Sequence, residues 1–178
     1  MAKQFQNLTD THIAFIREQH MFFVATAAPG GRVNMSPKGG DALRVMGPNR
    51  ILWRNLTGSG NETAGHLLAA NRMTLMWCSF DKTPLILRVY GSARTIPADD
   101  ADFEEVNAHF PAHVGARQVF DLTLDLVQTS CGWAVPEMEF VQDRKILDQW
   151  SEVRGTDYLR RTHWDDKNIE TIDGFPTR

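Results

Sequence analysis

A chain of 178 residues with 42% hydrophobic and 23% charged residues can bury about 70% of its unfolded surface, which excludes a disordered chain and any need for a disulfide framework or structural metal. Nineteen Lys and Arg against twenty-two Asp and Glu leave a formal charge of −3, which argues against a nucleic-acid surface. Cys78 and Cys131 stand far apart, the apolar run 21–28 is too short to span a membrane, and Glu18-Gln19 precede it where a signal peptide wants basic residues; the expectation is a mature, cytoplasmic protein with no membrane partner.

Residues 12–20 place Ile13, Phe15 and Ile16 at helical spacing behind Thr9-Asp10-Thr11, which predicts a short leading helix with Asp10 as its N-cap. Residues 21–27, rich in Phe, Val and Thr, stop at Pro29-Gly30-Gly31, and 32–36 follow at once as the second arm of a hairpin. Two further strands, 43–46 and 51–56, flank the turn Gly47-Pro48-Asn49. The loop 57–60 then breaks the strand pattern, and 61–71 predict a helix that turns His66, Leu67 and Ala70 towards a core.

Strand composition returns at 72–80 and 85–93, a helix is expected over 99–110, and 118–129 alternate apolar and polar residues cleanly. Beyond 130–136, residues 142–153 and 156–162 read as charged helices packed on the rest, ahead of a tail around 168–178. At least seven short strands, few helices and no βαβ alternation predict one domain over 1–178, mainly β with flanking helices, built as a closed or half-closed antiparallel barrel.

The most informative stretch for chemistry is 55–66, N-L-T-G-S-G-N-E-T-A-G-H, where a strand passes through a glycine-containing loop into a helix. The first N–H groups of a helix lack intrahelical partners and carry partial positive charge, so a phosphate suits them beside the hydroxyls of Ser59 and Thr63. Ser59-x-x-Glu62 equally fits a capping box that satisfies those donors locally, and both readings stay open on the residues alone. Neither G-x-x-x-x-G-K-[ST] nor a G-x-G-x-x-G fingerprint is present, which disfavours nucleotide hydrolysis. Residues 32–41, R-V-N-M-S-P-K-G-G-D, run a strand into a Pro-Lys-Gly-Gly break; this borders a ligand or is a plain turn with a solvated Lys38.

Other groups carry less. His109 and His113 have metal-like spacing, but Pro111 breaks the helix that would align them, so no metal site is expected. Cys131 has no adjacent base to activate a thiol, the G-x-S-x-G elbow is missing, and Asp99-Asp100 and Asp165-Asp166 sit where acids cap helices. No catalytic acid or base can be named.

Taken in order, the hairpin, R-V-N-M-S-P-K-G-G-D, L-W-R-N-L-T-G-S-G-N-E-T-A-G-H-L, N-R-M-T-L-M-W-C and L-R-V-Y-G closely resemble the pyridoxamine 5′-phosphate oxidase-like family of FMN-binding split β-barrels. The likeness is most specific over 21–93, and S-C-G-W-A-V-P-E-M-E-F at 130–140 resembles a branch apart from the vitamin B6 oxidases. The resemblance implies a Greek-key-like split barrel and a homodimer with an FMN in each interface cleft. It also implies oxidoreductase chemistry with a small-molecule electron donor or acceptor. The flavin ring would lie along Asn34, Met35, Ser36 and Lys38 with Trp53 as an apolar wall. The phosphate would sit by Ser59, Asn61 and Thr63, next to Asn55, with Lys38 and Arg54 as the nearest cations. Arg88, Cys131 and Trp133 would line the cleft from a neighbouring subunit.

Two departures matter. Asn61-Glu62 stand where the vitamin B6 oxidases carry an Arg-Lys pair, which implies modest FMN affinity unless Glu62 turns away into a capping role. The tail reads I-D-G-F-P-T-R rather than the Arg-containing substrate motif of those enzymes, which makes B6 oxidation improbable. A second reading keeps the barrel as a non-catalytic carrier or sensor holding haem, a deazaflavin or nothing.

Overall fold

The computed structural model describes residues 2–178. Eight strands form one antiparallel sheet: β1 (Lys3–Phe5), β2 (Met21–Thr26), β3 (Asn34–Gly39), β4 (Leu43–Gly47), β5 (Arg50–Leu56), β6 (Met73–Cys78), β7 (Ile86–Pro97) and β8 (Ala116–Ser130). Their order is β3-β2-β6-β7-β8-β5-β4, with β1 added on β8. The last strand is the spine: it pairs with β7 almost throughout, with β5 over its first half and with β1 at Val127–Thr129. Curled about it, the sheet makes a half-barrel, in line with the half-closed barrel that the strand pattern predicts and the split barrel that the resemblance implies.

Period-two patterning sets the core. Buried and half-buried positions alternate along β2 and β6, so Phe22, Val24, Leu75 and Trp77 point inward, where they meet Leu87 and Val89 of β7. A second cluster, Leu52, Ile96, Phe103, Val106, Phe110 and Val119, lies on the other side of the sheet beneath α3 (Phe103–Asn107). Strand β5 is therefore covered on both faces, with Trp53 in one cluster and Leu52 in the other, which is why it is buried from Ile51 to Asn55.

The remaining helices are α1 (Asp10–Glu18), α2 (Glu62–Ala69), α4 (Ile146–Arg154) and α5 (Trp164–Lys167), with a π-helical turn at Tyr158–His163 between the last two. Several boundaries differ from those expected. The N-cap of α1 is Thr9 rather than Asp10: its hydroxyl accepts the His12 N–H at 3.3 Å and the His12 ring accepts the Thr9 N–H at 3.1 Å, a reciprocal box closed by histidine. Helix α3 is shorter than 99–110, because 99–102 form a turn and Pro111 follows too soon for further helical turns. Strand β1, three residues long, carries too little pattern to be read in advance. Residues 131–145 have no regular structure and are largely exposed, tethered by the Met138 N–H to Phe80 O at 3.0 Å and by Phe140 stacked on His20. Among the described residues no helix is long and apolar enough to cross a membrane.

Candidate functional site

A cavity of about 1050 Å³ opens between the end of β3, the face of β5, the loop 57–61, the start of α2 and residues 166–172. Alternation along β3 turns Asn34, Ser36 and Lys38 towards it and leaves Met35 on the far face, 66% exposed. The ammonium of Lys38 lies 5.5 Å from the centre of the Trp53 ring, and that ring is the apolar wall of the cavity. Nothing in the structure offers Lys38 a carboxylate within ion-pairing distance among the described residues. Its pKa is held below the usual lysine range, first by burial and then by the positive charge of Arg117.

Sequence reasoning missed Arg117. It is 5% exposed and lines the cavity under the loop 57–61. The register of β8 against β5 jumps there: Asn55 faces Gln118 and Leu56 faces Ala116, so Arg117 is the extra residue of a bulge. Bulges of this kind re-aim a side chain out of the alternation, and no local sequence pattern announces them. One guanidinium nitrogen, Nη1, donates to Gly60 O at 3.1 Å and to Asn168 Oδ1 at 2.7 Å, while Nε is buried without a partner among the described residues. Burial pushes its pKa down to about 10, which still leaves it charged at neutral pH. Arg54, the cation expected near the phosphate, instead lays its guanidinium over the Phe110 ring and donates to Pro111 O.

The capping box that Ser59 and Glu62 would fit, one of the two readings open from the residues, does not form. The N-cap of α2 is Asn61, which makes no side-chain cap; its Oδ1 accepts from Gln118 Nε2 at 2.7 Å and its Nδ2 donates to Asn168 O at 3.4 Å. Both oxygens of Glu62 accept the Ile172 N–H at 3.2 Å, and its Oε1 stays beside the loop, 3.4 Å from where a Cβ on Gly60 would stand. Ser59 is exposed at the cavity edge and Thr63 is buried at its floor, close to the uncapped N–H groups of the first turn. The cavity thus has an apolar side at Trp53 and a positive end where a helix N-terminus meets two cations lacking carboxylate partners. Those groups fit an organic phosphate carrying a flat ring. Carboxylates of Glu62, Asp166 and Glu170 also line it; the first is engaged as above and Asp166 pairs with Lys167 at 3.0 Å.

Of the thirteen residues singled out in the sequence, Asn34, Ser36, Lys38, Trp53, Arg54, Asn55, Ser59, Asn61 and Thr63 line this one cavity. Arg88 lies elsewhere, bonded to Ser130 Oγ at 3.1 Å, and Cys131 and the 84% exposed Trp133 follow that strand end into the irregular stretch. His109 and His113 sit in the loop after α3, His113 facing Asp148 at 3.1 Å. No metal-binding group of three or more His, Cys, Asp or Glu side chains occurs among the described residues.

The family model described as pyridoxamine 5′-phosphate oxidase matches residues 8–131, which spans every strand from β2 to β8 and every barrel residue of the cavity. The chain belongs to the pyridoxamine 5′-phosphate oxidase family. Within it, an Aspergillus flavus protein named pyridoxamine 5′-phosphate oxidase family protein ustO is 35% identical over 144 residues, covering 78% of this chain but only 58% of its own length. Two crystal structures share the fold of the family at low identity. One, a Lactobacillus delbrueckii protein provisionally named as a pyridoxamine 5′-phosphate oxidase, superposes with a TM-score of 0.57 at 19% identity over 69% of this chain and 94% of its own. The other, Group A Streptococcus HupZ, gives 0.52 at 15% identity over 67% and 91%.

Proposed function

We propose that this chain is an FMN-binding flavoprotein, an oxidoreductase that passes hydride or electrons through a flavin held at the interface of a homodimer. The observation that carries the reading is the pairing, in one cavity, of the Trp53 wall with Lys38 and the buried Arg117 at the start of α2. An isoalloxazine ring suits the first and a single phosphate the second. Lys38 and Arg117 hold the phosphate by charge, Thr63 and the first N–H groups of α2 by hydrogen bonds, and the β3 edge at Asn34 and Ser36 faces the polar rim of the ring. The bound flavin supplies the redox chemistry, and the protein supplies orientation and electrostatics.

Family membership supports the same reading; Glu62 keeps its negative charge at the cavity edge while accepting the Ile172 N–H, and there it is outnumbered by Lys38 and Arg117. Among the described residues of one chain, no His, Met, Cys or Tyr lines the cavity, so a haem held there would take its axial ligand from elsewhere.

The test is a visible spectrum of the protein purified without added cofactor, repeated after incubation with FMN and desalting, with the released ligand identified by mass. Retained FMN, followed by bleaching with NADH or NADPH, is the expected result. A desalted protein with no flavin band overturns the reading, and a released deazaflavin moves the chain to the carrier alternative.

A further inference from the structure

Among the described residues Arg117 has only neutral partners. Its bonds run to the carbonyl of Gly60 and to the side-chain amide of Asn168, and Nε has none among the described residues. A guanidinium taken out of water would ordinarily be paired with a carboxylate, which cancels its charge. Here two neutral acceptors orient the group and leave its charge available to something that enters the cavity.

Asn168 is built for that task. It is fully buried, with 0% exposure. Its Oδ1 accepts from Arg117 at 2.7 Å while its Nδ2 donates to Gly58 O at 3.0 Å, so one amide fixes both the cation and the loop above it. Its backbone oxygen accepts from Asn61 Nδ2 at 3.4 Å and from Thr177 Oγ1 at 2.5 Å, tying in the N-cap of α2 and the segment 168–178. An amide accepts from a guanidinium with one atom and donates to a carbonyl with another, without adding charge. Residue 168 also lies beyond the stretch 8–131 that the family model matches.

We propose that Asn168 is a positioning residue of the cofactor site: it holds Arg117 and the loop 58–61 in anion-binding geometry while sparing the charge of Arg117. The proposal rests on the phosphate reading of this cavity and makes residues beyond the barrel a working part of it.

The experiment compares wild type with Asn168→Asp and Asn168→Ala, using FMN, riboflavin and inorganic phosphate as probes. Riboflavin lacks the phosphate, so it reports the ring end alone. Asn168→Asp keeps an acceptor for Arg117 but neutralises it; FMN affinity is expected to fall about tenfold, the scale of one charged partner lost, with riboflavin affinity unchanged and the thermal shift by phosphate abolished. Asn168→Ala is expected to weaken FMN in the same selective way; should it fail to fold, the Asp variant still decides. Equal weakening of FMN and riboflavin, or no change in either, overturns the proposal and leaves the flavin reading standing. A wild type that binds neither flavin, yet is stabilised by phosphate in a manner lost in Asn168→Asp, sinks the flavin reading and keeps the proposal. No response of wild type to any of the three probes overturns both.

Discussion

Lys38 and Arg117 are both withdrawn from water without a carboxylate partner, and the cost of that arrangement is readable in titration. Because the folded pKa of Lys38 lies below its ordinary 10.5, the unfolded chain binds more protons between the two values, so stability rises with pH across that window. At neutral pH the penalty is fully present, and an anion in the cavity relieves it. Lys38→Met is therefore expected to raise the melting temperature of the cofactor-free protein at pH 7 and to weaken FMN. The advantage should shrink as pH climbs through the lowered pKa towards 10.5, which thermal melts of both proteins across pH 7–10 would check. A variant no more stable than wild type at pH 7 would mean the ammonium is solvated after all. On the residues alone Lys38 reads as a ligand neighbour or a solvated turn lysine, and only the family resemblance favoured the first; the break expected at Pro37 to Gly40 is absent, because β3 stays paired with β2 through Gly39. Arg117 was not legible, since a bulge depends on two strands meeting in a register that neither encodes alone.

The elements carry their own tests. Helix α1 is started by the Thr9 and His12 pair, and removing the hydroxyl with Thr9→Ala should cost about 1 kcal/mol in denaturant unfolding. Burial holds His12 below its ordinary 6.5, and a proton on Nδ1 would abolish the acceptor that the Thr9 N–H uses. The contribution is thus complete above pH 6.5 and is lost as pH falls from there through the lowered value; an NMR titration of His12 reads it directly. Helix α2 makes the opposite point about composition. Gly→Ala inside a helix normally stabilises by about 1 kcal/mol. A Cβ on Gly65 would lie 2.4 Å from Thr171 Cγ2 and 3.1 Å from Pro176 O, so Gly65→Ala is expected to lift the segment 168–178 off the helix. Loss of hydrogen-exchange protection at Thr171 and Thr177, with weaker FMN binding, is the outcome sought. The hairpin of β2 and β3 and the alternation of β8 were plain in the sequence, since period two and turn residues agree there. The role of Gly65 was not, because it depends on residues more than a hundred positions away.

At the scale of the molecule, patterning led to a mainly β, closed or half-closed antiparallel barrel through its inside and outside faces, and the family resemblance narrowed that to a split barrel. What patterning left out is the way residues 166–172 complete the cavity, and whether a second chain completes it further. One chain leaves Trp133 and Val141 each 84% exposed on the irregular stretch 131–145. The two-chain cleft proposed above predicts a sedimentation mass twice the 20.1 kDa of one chain and a blue-shifted Trp133 emission that moves red on dilution. A mass of 20.1 kDa at every concentration would remove the interface from the account.

The hydrogen bonds between Asn168 and Arg117 also order events in time. Synthesis delivers the strands first, and domains fold as they emerge. A ribosome-bound chain that has just released β8 holds every barrel strand, yet Arg117 then faces a loop with no amide to fix either of them. If Asn168 positions this site, the newborn barrel grips an anion only loosely, and its hold tightens when a much later stretch of the same polypeptide arrives to fix Arg117 and the loop.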